Sequence, residues 1–448
     1  MNKTVSFVTD NFNKYDGLNI KKYIEIGGFS GLKKLIEKGP DFVISELKET
    51  GLRGRGGAAY PTWKKWDMGK KRIAKDKYIL CNADEGEPGT FKDRELLDKD
   101  PYSVLEGMII AGITIGSVKG YIYIREEYPN IQDKVAKCIE NARNEGVLGE
   151  SVLGTDYSFD IELYTGAGAY ICGEGSALIE SMEGKSGRPR NKPPRIGTKG
   201  FMQVPTMVNN VETFSYVTAI LRYGSEEYAN YGTSESKGTK LISLSGNIKN
   251  PGMYEVPFGV TFYDVIYTIG GGMKSDSPFK FLQLGGVSGP IMQKYILNTP
   301  ITYENTSAYG LPIGSGAITV GDETNNVVEF LLGVQKFFVH ESCGKCTPCR
   351  EGNIQLKQLL LKLNDGTITE EEVIRIERIS NTMKIASLCG LGQTAPTAIL
   401  SVIRYFTNDV YKKVGFHVDF DGDLVKHYLE NMKIDMSQIK LKYTEFEY

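Results

Sequence analysis

Four cysteines fall late in the chain: Cys343, Cys346 and Cys349 in "ESCGKCTPCREG", and Cys389 in "ASLCGLG". Thiolates this close repel one another unless a cation takes up their charge. Two chemistries meet that need, a four-sulfur zinc site and a cubane [4Fe–4S] cluster. Three close ligands plus one remote favour the cluster, because zinc sites usually come as two C-x₂-C pairs. Cys81 and Cys172 stand singly on apolar runs read as strands and are expected in the core. Cys138 lies on a helix and is assigned nothing. The opening "MNKTVSFVTDNFNKYDG" has no apolar core like that of a secretory signal. A disulfide framework is therefore not expected, and the reducing cytoplasm is the expected compartment.

A second kind of chemistry is suggested by glycine-bearing polar loops. "GLRGRGGAAYPTWKKW" (51–66) lets backbone N–H groups approach an anion, with Arg53, Arg55, Lys64 and Lys65 supplying charge and Tyr60, Trp63 and Trp66 offering ring faces. "CNADEGEPGTFKDRE" crowds Asp84, Glu85 and Glu87 into one loop, where carboxylates can accept from ribityl or ribose hydroxyls or a flavin N–H. "TGAGAYICGEGSALIESMEG" (165–184) has the texture of a nucleotide loop without dinucleotide-fingerprint spacing, and its Glu174 is followed by bare Gly175. "VPTMVNNVETF" brings Asn209 and Asn210, amides suited to a heterocycle edge. Each stretch alone also reads as an ordinary surface turn. Together, and beside a redox cluster, they point to a flavin.

These residues must be held by a scaffold, and the 448-residue chain is long enough for two to four domains. Composition is globular, and a net charge of −2 offers nothing to nucleic acid as a bulk partner. The apolar run Val104–Val118 is short and carries Glu106, so it reads as a buried helix, not a direct membrane insertion. Residues 1–50 read as a helical extension with an amphipathic helix at Ser30–Glu37. Residues 51–235 alternate strand, loop and helix, as in "KYILCNAD", "VKGYIYI", the helix starting at Pro129, and "SFDIELYTGAGAY". That order implies an α/β domain with ligand loops at the carboxyl ends of parallel strands. Residues 236–324 change character: two short strands flank Asn-Pro-Gly, and "TFYDVIYTIGGG" reads as a short amphipathic helix, together a small α+β module of the β-grasp kind. Residues 325–448 follow a helical period and read as a helical bundle holding the four cysteines.

The quoted stretches, with "GRPRNKPP" and "PTMVNNVET", resemble the NADH-binding flavoprotein subunit of respiratory complex I. The same subunit recurs as the diaphorase module of soluble hydrogenases and formate dehydrogenases, some of them electron-bifurcating. The resemblance implies FMN, one [4Fe–4S] cluster and a nicotinamide dinucleotide, NADP(H) or NAD(H). It implies that Gly54, Arg55, Gly56, Gly57 and Lys65 hold the FMN phosphate, with Tyr60 beside that loop. It further implies that Asn82, Asp84, Glu85, Asn209 and Asn210 contact FMN, and that Glu87 lies near the nicotinamide as the catalytic residue. Gly173 and Glu174 lie at the flavin and dinucleotide, and Cys343, Cys346, Cys349 and Cys389 ligate the cluster. Partners are implied too: a thioredoxin-like [2Fe–2S] subunit and a further iron–sulfur or catalytic subunit of a hydrogenase or formate dehydrogenase. Two other readings stand beside this one, an NADH-entry subunit of a membrane NADH:quinone oxidoreductase and a non-catalytic flavin or nucleotide sensor.

The chain departs from the pattern at the dinucleotide. NADH-specific relatives resemble Gly-Glu-Glu-Thr where this loop reads Gly173-Glu174-Gly175-Ser176. The second acid lies by the adenosine ribose there, where it can repel a 2′-phosphate. Arg195 stands after Lys192-Pro193-Pro194 where relatives carry Phe, and Met68 where they commonly carry another. A guanidinium can stack on a purine and bind a phosphate bidentately. The expectation is a subunit that uses NADP(H), alone or beside NAD(H).

Overall fold

The computed structural model describes residues 3–308 and 311–415. The carboxyl-terminal part of the helical region expected over 325–448 therefore lies outside the described residues from 416 on.

The α/β domain is built on four parallel strands, β1 (Tyr78–Ala83), β2 (Lys119–Arg125), β3 (Asp160–Gly166) and β4 (Thr206–Asn210), in the order β3-β2-β1-β4. Helices α1 (Ile20–Glu25), α2 (Ser30–Lys38) and α3 (Pro40–Thr50) precede them. Helices α4 (Thr62–Lys71), α5 (Lys92–Lys99), α6 (Pro101–Ile115), α7 (Pro129–Asn144), α8 (Gly175–Met182), α9 (Val211–Tyr223) and α10 (Ser225–Ala229) lie before, between and after the strands. The sheet is covered on both faces, which is why β1 reads as a near-continuous apolar run. Ile79, Cys81 and Ala83 join one core with α6 and α9, while Leu80 and Tyr123 join a second core shared with the carboxyl-terminal helices. Every residue of α6 is buried, as an all-round apolar helix requires. Its Glu106 accepts from Tyr23 Oη and from the N–H groups of Phe29 and Leu32, tying the amino-terminal helices to the sheet.

The second sheet is mixed: β5 (Thr239–Gly246), β6 (Gly252–Pro257), β7 (Phe279–Leu284), β8 (Ile291–Met292) and β9 (Ala317–Asp322), ordered β6-β5-β9-β7-β8, with α11 (Tyr303–Ala308) before β9. The Asn-Pro-Gly stretch joins β5 to β6 as an antiparallel pair. The segment read as an amphipathic helix forms a wide turn of π-helix over Asp264–Ile269, so its helical character holds but its winding is looser. Cys172 lies on a 3₁₀ turn (Tyr170–Gly173), not on a strand, although it is buried as expected.

Helices α12 (Val327–Glu341), α13 (Thr347–Asn364), α14 (Glu370–Ala386), α15 (Gly390–Thr394), α16 (Thr397–Tyr405) and α17 (Thr407–Val414) complete the described chain. Four of them close into a bundle: α12 packs on α13 and α16, and α14 packs on the same two. Cys343 and Cys346 lie in the α12–α13 connection, Cys349 in the first turn of α13, and Cys389 precedes α15. Among the described residues no helix is long and apolar enough to cross a membrane.

Candidate flavin, dinucleotide and iron–sulfur site

The carboxyl ends of the parallel strands bring the polar loops together, where ligands of open α/β sheets bind. Parallel register pairs Asn82 with Asn210, and Arg125 with Gly166. Asn82 Nδ2 donates to Gly173 O (2.8 Å) and its Oδ1 accepts from Asp84 N (3.1 Å). Asn210 closes β4 and caps α9 by accepting from Glu212 N, while its Nδ2 donates to Asp93 Oδ2 (2.6 Å). The Gly54–Gly57 loop presses on this end of the sheet: a Cβ on Gly56 would stand 3.0 Å from Asn210 Cβ, and Gly57 adopts φ +110°.

Three observations test this edge for FMN. Asp84 Oδ2 is buried without a hydrogen-bond partner in the protein, and burial pushes the carboxyl up to about 7. Gly173 stands over Asp84, where a Cβ would meet Asp84 O at 3.5 Å and Oδ2 at 3.8 Å, so a side chain there would fill the space before the carboxyl. Lys65 is half-buried, its desolvation pushes the ammonium down to about 8, and its Nζ donates to Val208 O (2.9 Å), leaving donors for an anion. An orphaned acceptor, a glycine-lined space and a half-buried ammonium fit a flavin nucleotide.

Several expected ligand residues are committed elsewhere. The Arg55 guanidinium is largely taken up by protein partners. It donates to Tyr228 Oη, Tyr303 Oη and Thr239 O and lies over the Tyr216 ring, while its backbone N–H goes to Thr213 Oγ1. It pegs the α/β domain to the second sheet. Glu85 accepts from Asp93 N and Arg94 N, capping α5, so both of its oxygens serve the fold. Burial, then the neighbouring Asp93, raises this carboxyl above the usual range. Asn209 Oδ1 accepts from Trp66 Nε1. Tyr60 is 38% exposed at the loop edge. Glu87 reaches across to the second sheet and accepts from Ser288 N and Oγ, and burial raises its carboxyl.

Behind these residues lies a buried charge network that sequence reasoning missed. Lys92 pairs with Asp93 (2.7 Å) and Glu212 (3.1 Å), and Lys240 pairs with Glu212 (2.8 Å). Lys92 Nζ also donates to Asn210 Oδ1, so the network orients the amide. The "FKDR" stretch signalled only that three charged residues followed the acidic loop.

At the dinucleotide end, Glu174 caps α8 by accepting from Ser176 N and Ala177 N, and Lys192 pairs with it at 2.9 Å. Burial alone would raise Glu174, but the bonds from Ser176 and Lys192 hold it below the usual carboxylate range. Gly175 is the first residue of α8, and its φ lies outside the left-handed region. A Cβ there would meet Ile196 Cδ1 at 3.2 Å, the end of a flexible side chain. The glycine is thus not demanded by the backbone. The position without the acid lies against the segment that carries Arg195, whose side chain is exposed.

The four cluster cysteines line one pocket with Ile171, Pro189, Leu388 and Leu391. Ser342 Oγ lies 3.2 Å from Cys349 Sγ, Asn353 Nδ2 donates to the same sulfur at 3.2 Å, and Leu388 N donates to Cys346 Sγ. Four thiols, apolar walls and N–H donors aimed at sulfur suit an iron–sulfur cluster. Asn353 lies one helical turn beyond Cys349, a spacing that could have been read from sequence.

A flavin pocket and a cysteine pocket in adjoining domains define a class, the FMN- and iron–sulfur-containing NAD(P)H dehydrogenase subunits. Residues 47–219 match the Nuo51 FMN-binding domain, residues 241–295 the SLBB domain, and residues 329–413 the NADH-ubiquinone oxidoreductase-F iron–sulfur binding region. The NADP-reducing hydrogenase subunit HndC of Solidesulfovibrio fructosivorans is 43% identical over 91% of this chain and 83% of its own. The NADH-quinone oxidoreductase F-subunit of Rickettsia rickettsii is 36% identical over 88% of this chain and 94% of its own, and that of Aquifex aeolicus 39% over 87% and 90%. A chain of the NAD⁺-reducing [NiFe]-hydrogenase in its air-oxidised state superposes with a TM-score of 0.78 at 34% identity, covering 89% of this chain and 68% of that one. The chain belongs to the family of the NADH-quinone oxidoreductase F-subunits and their hydrogenase counterparts.

Proposed function

We propose that this subunit exchanges electrons between NADP(H), alone or beside NAD(H), and iron–sulfur clusters, within a soluble hydrogenase, formate dehydrogenase or transhydrogenase complex. The observation that carries the nicotinamide preference is the pairing of Gly175 with the Arg195 segment. A phosphomonoester brings about −1.5 to −2 charges. Opposite a carboxylate it would be repelled, and opposite a guanidinium it would be held. The likeness to an NADP-reducing hydrogenase subunit supports this reading. The likeness to quinone oxidoreductase subunits supports the second one, NADH entry into a membrane complex.

FMN, when bound, accepts hydride from the dihydronicotinamide and yields electrons singly. The chain's residues bind, orient and screen. The Gly54–Gly57 backbone and Lys65 hold the phosphate, while Asn82, Asp84, Asn209 and Asn210 border the flavin. Glu87, held by Ser288, lies near the nicotinamide. Glu174 and Lys192 border the dinucleotide. Cys343, Cys346, Cys349 and Cys389 hold the cluster. Onward transfer calls for partner subunits, a thioredoxin-like [2Fe–2S] subunit and a further iron–sulfur subunit.

Two measurements test these assignments. With an artificial acceptor, the wild type is expected to favour NADPH over NADH in kcat/KM by about tenfold, about 1.4 kcal/mol. A preference for NADH at physiological salt would support the quinone-oxidoreductase reading instead. Lys65→Ala is expected to weaken FMN by about 1.5–3 kcal/mol, roughly tenfold to a hundredfold, in a fluorescence titration of flavin-depleted protein. Unchanged affinity would place the phosphate elsewhere.

A further inference from the structure

We propose that Tyr170 is a positioning residue for electron transfer, locking the flavin-side loops to the cluster loop and so fixing the gap between the two redox groups. The inference rests on the proposed FMN and cluster placement but not on the choice of nicotinamide. Tyr170 opens the 3₁₀ turn Tyr170–Gly173, and this turn faces two ways. Its last residue, Gly173, stands over Asp84, while Ile171 lines the cysteine pocket. Tyr170 is held from three elements. Its backbone N–H donates to Glu341 Oε2 (3.0 Å), two residues before Cys343. Its ring meets Phe337 of α12 edge-on, with centroids 5.0 Å apart. Its hydroxyl lies toward Glu87 and Ser288.

The neighbouring sequence makes room for this wedge. A Cβ on Gly86 would stand 3.3 Å from Tyr170 Cα and 3.4 Å from Cδ2, so the acidic loop lies directly against the tyrosine. One residue therefore lies against the loop of Asp84 and Glu87 and the helix that leads into the cluster cysteines, with its hydroxyl toward Ser288. The step controlled by this gap moves electrons only. Two pass singly from reduced flavin to cluster, each being handed on to the next acceptor, and the proton left from the transferred hydride goes to water. Electron transfer slows severalfold for each ångström by which the gap between donor and acceptor widens, and the wedge guards against that widening.

The test uses the full chain with its flavin and cluster. Stopped flow separates flavin reduction by nicotinamide from the cluster reduction that follows, read by freeze-quench EPR. In Tyr170→Leu protein, flavin reduction is expected to stay within about twofold and cluster reduction to slow about tenfold or more. Tyr170→Phe, which keeps the ring against Phe337, is expected to restore most of the rate. A second readout needs no turnover: hydrogen exchange over residues 338–346 with and without FMN. FMN is expected to slow exchange there in the wild type and to lose that effect in Tyr170→Leu. A wild-type rate of cluster reduction, or an undiminished exchange response, in Tyr170→Leu overturns the proposal. If that variant does not load its cofactors, Glu341→Leu removes the backbone anchor with the ring in place, and an unchanged exchange response overturns the proposal equally. A wild type that binds neither FMN nor iron defeats the functional reading itself, a result separable from either outcome for Tyr170.

Discussion

Cys389→Ala protein is expected to lose its four-iron signal while retaining FMN. Cys343 and Cys346 come from the α12–α13 connection and Cys349 from the first turn of α13, whereas Cys389 arrives from beyond α14. Removing Cys389 leaves three sulfurs on one side of the pocket and opens the other, where Leu388 is 38% exposed. The flavin residues sit at the ends of β1 and β4 and on loops before and between strands, held by Asn82, Asn210 and the Lys92–Glu212 network. None of those contacts involves residue 389. Anaerobically purified wild type should carry about four iron and four acid-labile sulfide per chain. The variant should fall toward zero for both, with FMN released by acid in unchanged amount. Stoichiometric zinc in the wild type, with iron and sulfide absent, would establish the four-sulfur zinc alternative instead. Loss of FMN along with the iron would mean that the two pockets do not load independently.

What is legible in the residues and what is not divides along a physical line. The cluster cysteines are legible because their chemistry is local: three ligands within seven residues announce themselves. Strands β1, β2 and β3 are legible because a sheet covered on both faces makes apolar runs. Strand β4 is hidden, since Thr206–Asn210 is short and ends in two amides that read as a turn. The harder matter is which way a charge points. Arg55 and Glu85 stand beside glycines in loops that reach a ligand, and from sequence both read as ligand residues. Arg55 finds its partners at Thr213, Tyr228, Thr239 and Tyr303, all more than 150 positions away, and no local pattern encodes them. Glu85 is drawn to the free N–H groups at the start of α5, which its own loop delivers. Asp84, next in sequence, receives no such partner and is left facing the site. A run of acids thus divides into a cap and an unpartnered carboxylate, the proposed ligand, by the turn of the backbone, which is a tertiary outcome.

The substitution pair Gly175→Glu with Arg195→Phe is expected to turn the nicotinamide preference over, from NADPH to NADH. The fold tolerates the first change. Gly175 is the first residue of α8, where an acid is favoured by the exposed N–H groups and where glycine is the weaker helix former. The new Cβ presses only on Ile196 Cδ1, which can rotate away. The second change removes a surface guanidinium and leaves a ring able to stack on adenine. Neither change removes the Lys192–Glu174 ion pair. The introduced carboxylate would face the 2′-phosphate of NADPH, a like-charge contact worth several kcal/mol where water is scarce, and would accept from the ribose hydroxyls of NADH instead. A swing of about a hundredfold in the ratio of kcat/KM values, about 2.7 kcal/mol, is expected for the pair, with each single change giving part of it. The ratio should also depend on salt in the wild type more than in the variant, because the phosphate contact at the exposed Arg195 is screened. Thermal midpoints should match, which would assign the change to recognition and not to folding. Equal ratios in wild type and double variant would remove these two positions from the specificity determinants and leave the glycine without a role in recognition.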